Sequence, residues 1–162
     1  MSIWWRSWSR TGGSRPSSSR RSSTASSPLI EIAVTDAHAL IWYAQSERRK
    51  LGPVARRIFD AADDGKAVVY VPVVVLAEIS ESIQKGKIRF GRPFSGWARE
   101  LLASRQFVPA DLTWEIVLRS EELYHIPERG DRLIAATAAQ LGFPLITRDP
   151  EIAAAAGVEV VW

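Results

Sequence analysis

From Leu29 onward, short apolar runs rich in β-branched residues alternate with longer stretches in which apolar residues recur every three or four positions. The short runs predict strands, and the longer stretches predict amphipathic helices. Regular alternation of the two is typical of an α/β domain with a mainly parallel sheet. Residues 1–28 show neither period, so the sequence divides into an aperiodic segment, residues 1–28, and one α/β domain, residues 29–162.

The predicted elements follow from these periods and from the turn residues between them. We predict strands at about 29–35, 67–71, 106–109, 143–147 and 158–161. We predict helices at about 37–44, 53–63, 72–85, 95–104, 112–122, 131–141 and 150–156. Pro72 suits the first turn of the third helix, because proline fixes a helical φ, and Gly86 suits its end, because glycine accepts a left-handed conformation.

Composition narrows the class of protein. The chain has 162 residues and no cysteine, which excludes disulfides and thiolate metal sites. It has no apolar run of the length that a membrane span needs. The formal net charge of +3 favours a nucleic-acid binder, but residues 1–28 hold five arginines and no acid, which leaves 16 Lys and Arg against 18 Asp and Glu. Any RNA contact would therefore have to come from local patches or from the tail, residues 1–28.

The segment 1–28 contains eleven serines, and we expect it to be a disordered tail because it lacks the apolar density that offsets chain entropy. Its three tryptophans alternate with arginines, a mixture that can stack on a nucleic acid. The alternatives are an extension without an evolved role and an organelle transit peptide, which shares this acid-free composition. Because the tail lacks the apolar core of a secretory signal and cysteine is absent, we predict a cytoplasmic location.

Four carboxylates occupy positions that a parallel sheet can bring together: Asp36, Glu78, Asp131 and Asp149. Asp36 and Asp149 follow predicted strands, Glu78 lies in the second turn after another strand, and Asp131 opens an alanine-rich helix. Ligands of open α/β sheets bind at the carboxyl ends of the strands. Acids packed this closely need cations at neutral pH, and oxygen ligands select hard ions such as Mg²⁺ or Mn²⁺.

Three of these acids also have a purely structural explanation. An aspartate between a strand and a helix is a common N-cap, which would account for Asp36, Asp131 or Asp149 taken singly. Asp111 lies at the same kind of junction, but no motif surrounds it, and we assign it only a cap. The functional interpretation therefore depends on the acids as a set.

The two glutamates of the third helix differ in their neighbours. Glu81 has Lys85 one turn on, so an ion pair at i, i+4 explains it. Glu78 has Ser82 at that position, and its structural alternative is a solvated helix face. This difference favours a functional role for Glu78 and a structural one for Glu81.

A run of basic residues begins at the end of the third predicted helix. The sequence KGKIRFGR is the strongest local basic patch, and its Lys85, Lys87 and Arg89 are candidate RNA-binding residues, with Phe90 as a stacking surface. Solubility alone would explain most of these charges.

Other polar residues lie beside the acids in the sequence. Thr147 can hydrogen-bond the site through its hydroxyl, and Arg132 adjoins Asp131 as a supporting cation. Arg148 adjoins Asp149 and, like Arg132, is among the cations that could bind phosphates near the acids, although solubility explains most of these charges. Neither His38 nor His125 has a partner at zinc-ligand spacing, so zinc is disfavoured.

Residues 30–162 resemble the PIN-domain ribonucleases, and among them the VapC toxins of bacterial and archaeal toxin–antitoxin pairs. The resemblance rests on four motifs: TDAHALIWY, LAEIS, RGDRLIAATAAQLG and LITRDP. The pair DRLIAATA and TRD is specific, whereas either acid alone is weak. The family often has Thr or Ser after the first Asp, where this chain has Ala37.

The resemblance implies a three-layer α/β/α sandwich with a central, mainly parallel sheet. It also implies a Mg²⁺- or Mn²⁺-dependent endoribonuclease toxin whose metal ligands are Asp36, Glu78, Asp131 and Asp149. The implied partners are an RNA substrate, a cognate VapB-like antitoxin and a second copy of the chain in a homodimer.

The alternatives to a nuclease are a binding protein and a phosphatase or phosphotransfer domain. A binding protein of the same fold with weak catalysis would hold a partner helix in a groove beside helices 73–83 and 95–104. A phosphatase or phosphotransfer domain is disfavoured, since a haloacid-dehalogenase-like enzyme uses Asp-x-Asp after its first strand and this chain has Asp36, Ala37 and His38. A receiver domain would place a Lys where this chain has Arg148.

Overall fold

The elements are taken from a computed structural model that describes residues 31–155 and 157–162. The strands are β1 Glu31–Thr35, β2 Ala67–Pro72, β3 Phe107–Ala110, β4 Leu145–Ile146 and β5 Val160–Val161. The helices are α1 Ala37–Ala44, α2 Pro53–Asp63, α3 Val73–Gln84, α4 Phe94–Ala103, α5 Trp114–Glu122, α6 Arg129–Leu141 and α7 Pro150–Ala153. A short 3-10 helix, Arg48–Lys50, was not predicted.

The predicted order of strands and helices is confirmed over the described residues, with ends shifted by up to a few positions. The predicted tail, residues 1–28, and the first two residues of the predicted first strand lie outside the described residues. Gly86 follows α3 with a φ of 70°, which is the left-handed conformation expected of a glycine there.

The five strands form one parallel sheet in the order β3-β2-β1-β4-β5. Strand β1 is central, and Val34 pairs with Tyr70 on one side and with Leu145 on the other. The chain first builds the sheet outward through β2 and β3 and then returns to the other side of β1 for β4 and β5. The reversal places a switch point between β1 and β4, where open α/β sheets bind their ligands.

Helices cover the sheet as the outer layers of an α/β/α sandwich, which confirms the fold class. Ala33, Val34 and Thr35 are consecutive in β1 and fully buried, as expected for a strand with helices on both faces. Helix α6 contributes Ala135, Ala136 and Ala138, all buried, and packs against β1 and α3. Small side chains on α6 allow the helix to lie close to the strand that carries Asp36.

Two predictions about helix starts were wrong. Helix α6 begins at Arg129, and the N-cap is Glu128, so Asp131 lies inside the first turn and is not a cap. Helix α5 is capped by Thr113, whose hydroxyl accepts a hydrogen bond from the backbone N–H of Ile116, and not by Asp111. In each case a residue other than the aspartate has the extended backbone of an N-cap, with a ψ of 126° at Glu128 and of 165° at Thr113.

Candidate active site

The structure brings the four predicted acids to one place. They line a pocket of about 270 Å³ at the carboxyl edge of the sheet, beside the switch point. The residues around this acidic pocket are Asp36, Ala37, His38, Glu78, Asp131, Arg148, Asp149 and Pro150. Asp36 follows β1, and its backbone N–H donates to the carbonyl of Ile146 in β4 over 3.2 Å, so the sheet itself fixes the centre of the pocket.

Asp36 is held at the floor of the pocket and is only 7% exposed. Its Oδ1 accepts a hydrogen bond of 2.6 Å from the backbone N–H of Ala39, as an N-cap of α1. Burial raises the pKa of Asp36, while a hydrogen bond from the Thr147 hydroxyl and the bond from Ala39 oppose the rise. The cap explanation is therefore correct for Asp36, but burial beside other acids exceeds what a cap requires.

Asp149 is likewise a cap that faces the pocket. Its Oδ1 accepts from the backbone N–H groups of Glu151 at 2.8 Å and Ile152 at 3.3 Å, at the start of α7. The backbone N–H of Asp149 donates to the Thr147 hydroxyl over 3.1 Å. Thr147 is fully buried and hydrogen-bonds both strand-end aspartates, and its supporting role in function stays a prediction.

Glu78 and Asp131 complete the pocket from α3 and α6. Burial, followed by the charges of Asp131 and Asp36, raises the pKa of Glu78 to about 7. Burial also raises the pKa of Asp131, and the charges of Asp149 and Asp36 add to the rise. Each acid destabilises the charged form of its neighbours, so the pocket favours either protons or a cation.

The pH dependence of stability should show this effect. Because the folded protein binds the Glu78 proton more tightly than the unfolded chain, whose ordinary value is 4.5, the free energy of unfolding should fall as pH rises from about 4.5 to about 7 in EDTA. The E78Q variant should lose this part of the dependence and be more stable than the wild-type protein at pH 8. Urea unfolding across that pH range measures the difference. Identical pH profiles of E78Q and the wild-type protein would show that the pKa of Glu78 is not raised by burial and the neighbouring acids.

Glu78 lies directly against Gly130, in the first turn of α6. A Cβ atom at Gly130 would overlap Oε1 of Glu78 and lie 3.1 Å from its Cδ. The absence of a side chain there leaves the space that the carboxylate occupies. The sequence did not indicate this role, because Gly130 lies before the predicted start of the helix at residue 131.

The variant G130A tests this packing, with G96A as its matched control. Both glycines lie in the first turn of a helix, but a Cβ at Gly96 would meet nothing within 4 Å. Alanine is intrinsically better than glycine in a helix by up to about 1 kcal/mol, so neither variant should be much less stable than the wild-type protein. Only G130A should displace Glu78, and we expect it to lose about tenfold or more in metal affinity. Equal metal affinities of the two variants in calorimetry would show that Glu78 does not need the space.

The lining of the acidic pocket suits a divalent cation. Its polar lining is dominated by carboxylate oxygens, which suits Mg²⁺ or Mn²⁺ rather than zinc. Within residues 31–155 and 157–162, no three His, Cys, Asp or Glu side chains are already arranged to hold a metal ion. The carboxylate oxygens and the mutual repulsion of the acids therefore fit a hard cation.

The other predicted residues are more scattered. Lys85 forms a salt bridge with Glu81, as expected for a structural pair. Lys87 and Arg89 line a larger groove of about 740 Å³ that adjoins the acidic pocket. The Phe90 ring packs against Trp97 at a centroid distance of 4.6 Å, so one of its faces is already covered.

Arg132 and His125 do not reach the pocket. Arg132 donates to the carbonyl oxygen of Ile126 over 3.3 Å, which fixes the loop before α6. His125 is exposed in that loop. Arg148, which the sequence placed among the cations that could bind phosphates near the acids, lines the acidic pocket and lies over the ring of Trp42.

Fold and pocket together define an α/β/α domain with an acidic site at the switch point of a parallel sheet. The family model for the PIN domain matches residues 33–158. The chain belongs to the PIN domain family, whose members are generally nucleases. No curated protein matches the chain significantly.

Solved structures with the same fold come from bacterial complexes. A chain of VapBC2 from Rickettsia felis, bound to a DNA fragment from its promoter, is 14% identical, with a TM-score of 0.60 over 81% of this chain and 98% of that one. A toxin–antitoxin complex from Klebsiella pneumoniae is 21% identical, with a TM-score of 0.54 over 80% and 96%. FitAcB from Neisseria gonorrhoeae is 18% identical, with a TM-score of 0.55 over 81% and 96%.

Within the described residues, no helix is both long and apolar enough to cross a bilayer.

Proposed function

We propose that this protein is a metal-dependent endoribonuclease toxin of the VapC type, which cleaves RNA and is neutralised by a cognate antitoxin. The observation that carries the proposal is the acidic pocket, where four carboxylates from separate parts of the chain lie together and form no salt bridge with any described residue. Membership of the PIN domain family supports a nuclease. The similarity to chains of VapBC2 and of a toxin–antitoxin complex supports the toxin assignment.

The four carboxylates are the proposed metal ligands. Asp36 and Asp131 would hold most of a bound Mg²⁺ or Mn²⁺, and Glu78 and Asp149 would complete its surroundings, in part through water. A cation bound there lowers the pKa of water and offsets the charge on the phosphate oxygens. Raised pKa values at Asp36, Glu78 and Asp131 are what such a site shows before a cation relieves the repulsion.

The chain's own contacts orient two of these acids before substrate arrives. The backbone N–H of Ala39 fixes one oxygen of Asp36, and the N–H groups at the start of α7 fix one oxygen of Asp149. Their second oxygens are free of these caps and can face the pocket. Preorganised ligands of this kind lose little conformational entropy on binding.

The expected reaction is hydrolysis by water rather than attack by the ribose 2′-hydroxyl. The water oxygen bonds to phosphorus, the bond from phosphorus to the 3′ oxygen breaks, and that oxygen takes a proton. The products therefore carry 5′-phosphate and 3′-hydroxyl ends. A 2′,3′-cyclic phosphate on the mapped products would contradict this chemistry.

The proposed partner is a small antitoxin that blocks the acidic pocket with a basic side chain or a helix. An arginine of the antitoxin would pair with the carboxylates, which lack internal salt bridges among the described residues. The larger groove beside α3 offers room for an amphipathic helix. A homodimer and a cytoplasmic location remain part of the proposal.

The test is incubation of the purified chain with total cellular RNA in Mn²⁺, in Mg²⁺ and in EDTA. Discrete products that appear only with metal are the expected result, and they supply the substrate for end-mapping. If a folded protein that binds metal never cuts RNA, the nuclease proposal fails.

A specific observation favours the second candidate, a binding protein with weak catalysis. Ala37 lines the acidic pocket at the position where the resemblance leads us to expect a hydroxyl. If the wild-type chain does not cut and the A37T variant does, the protein acts through its partner rather than through cleavage.

A further inference from the structure

Among the described residues that line the acidic pocket, Arg148 is the only one with a permanent positive charge. Its Cζ lies 4.4 Å from the centroid of the Trp42 ring, so the guanidinium is stacked on the indole face. An arginine beside four carboxylates would ordinarily pair with one of them. Its position over an aromatic ring therefore requires an explanation.

Arg148 does not neutralise the acids. No salt bridge joins it to any carboxylate within the described part of the chain. The guanidinium is thus in the pocket but held away from its negative wall.

Trp42 is a fixed support for this arrangement. It is only 8% exposed, on the buried side of α1, and lies one turn after His38. Its ring packs edge-on against Trp162 with a centroid distance of 5.7 Å, and the His38 ring is 5.7 Å away on another side. A stacked guanidinium uses its flat face for the ring and keeps the N–H donors on its edge available.

An RNA strand faces an electrostatic problem at this pocket. Four carboxylates repel each phosphate, and a cation among them offsets only part of that charge. A second positive group that lines the same pocket without pairing with the carboxylates would bind the phosphate directly. Arg148 has the charge and the place for this task, and its guanidinium donates no hydrogen bond to any described residue.

We infer that Arg148 binds a non-bridging phosphate oxygen of the RNA strand in the acidic pocket, and that Trp42 is the positioning residue that keeps Arg148 away from the carboxylates. This inference rests on the proposed nuclease function. The fork of N–H donors can bind a phosphate through two hydrogen bonds, which a lysine cannot reproduce. R148K should therefore behave almost like R148A.

The test compares R148A and R148K with R105A, which removes an exposed arginine just before β3, at the opposite edge of the sheet. With an RNA fragment containing a mapped cleavage site, both Arg148 variants should raise KM about tenfold, and R105A should not. The salt dependence of log KM should fall by about 1 for R148A, which removes the positive charge. Unchanged KM in R148A would overturn the inference, even if the wild-type protein cuts RNA.

Metal affinity separates a phosphate contact from a structural role. Removing a cation from the pocket should leave Mn²⁺ affinity unchanged or make it tighter, because a positive charge has been taken away from the site. A structural defect would weaken Mn²⁺ and RNA binding together, and this result would overturn the inference.

The role of Trp42 is tested by a double-mutant cycle. W42F keeps an aromatic face and should preserve the effect of Arg148, whereas W42L should raise KM and make R148A nearly silent. Circular dichroism checks that both variants fold. If R148A has its full effect in the W42L background, Trp42 does not position the arginine.

The outcome remains decisive if the chain proves not to be a nuclease. In that case, binding of a short fluorescent single-stranded RNA in Mn²⁺ can be measured directly, since it is not cut. Weaker binding by R148A than by R105A would support the phosphate contact without catalysis. Equal binding by the two variants would overturn it.

Discussion

The D36N variant should lose RNA cleavage by about 100-fold or more while keeping its fold. Changes in the residues that merely support metal ligands cost about 10- to 100-fold, so loss of a central ligand should cost at least as much. The amide oxygen of Asn can still accept the hydrogen bond from the Ala39 backbone, which preserves the cap of α1. Cleavage of the mapped RNA fragment under single-turnover conditions measures the loss.

The D111N variant is the matched control for D36N. Asp111 also lies between a strand and a helix, but it is exposed, caps no helix and does not line the acidic pocket. D111N should cleave like the wild-type protein. If D36N cleaves undiminished, Asp36 is not a metal ligand and the proposed site is wrong.

Mn²⁺ should stabilise the wild-type protein strongly against unfolding. At 100 times its dissociation constant, a ligand that binds only the folded state adds about 2.7 kcal/mol to the free energy of unfolding. The D36N and D131N variants should lose most of this gain, because their pockets hold one negative charge fewer. Urea unfolding with Mn²⁺ and with EDTA gives both values.

The same two variants should have the opposite effect in EDTA. Removing one of several mutually repelling carboxylates relieves the repulsion that raises the pKa of Glu78 and Asp131. D131N should therefore be at least as stable as the wild-type protein at pH 8 without metal. A variant that is less stable both with and without Mn²⁺ would indicate a structural aspartate rather than a ligand.

The sequence was sufficient to predict the acids because their positions depend on local rules. Asp36 and Asp149 follow short apolar strands, and the carboxyl ends of neighbouring parallel strands must meet at one edge of the sheet. Glu78 was separated from Glu81 by the absence of a cation one turn on, and the structure agrees, because Glu81 pairs with Lys85. Their roles as metal ligands stay predictions.

The contacts that tune the pocket could not be predicted, because they join residues that are distant in sequence. Gly130 provides space for Glu78, which lies on another helix, and nothing around Gly130 in the sequence indicates this. Arg148 and Trp42 likewise meet only through the tertiary fold. The start of α6 at Arg129 was missed for a local reason, since Glu128 is an unusual N-cap.

The central position of β1 has a consequence for synthesis on the ribosome. Strands β1, β2 and β3 pair with one another before β4 exists, so an emerging chain can carry Asp36 and Glu78 in a partial sheet. Asp131 and Asp149 arrive last, and β4 pairs with β1 across more than a hundred residues of chain. Domains fold as units as translation proceeds. A nascent chain that does not yet include α6 therefore lacks half of the acidic pocket, so the proposed cleavage would begin only in finished molecules.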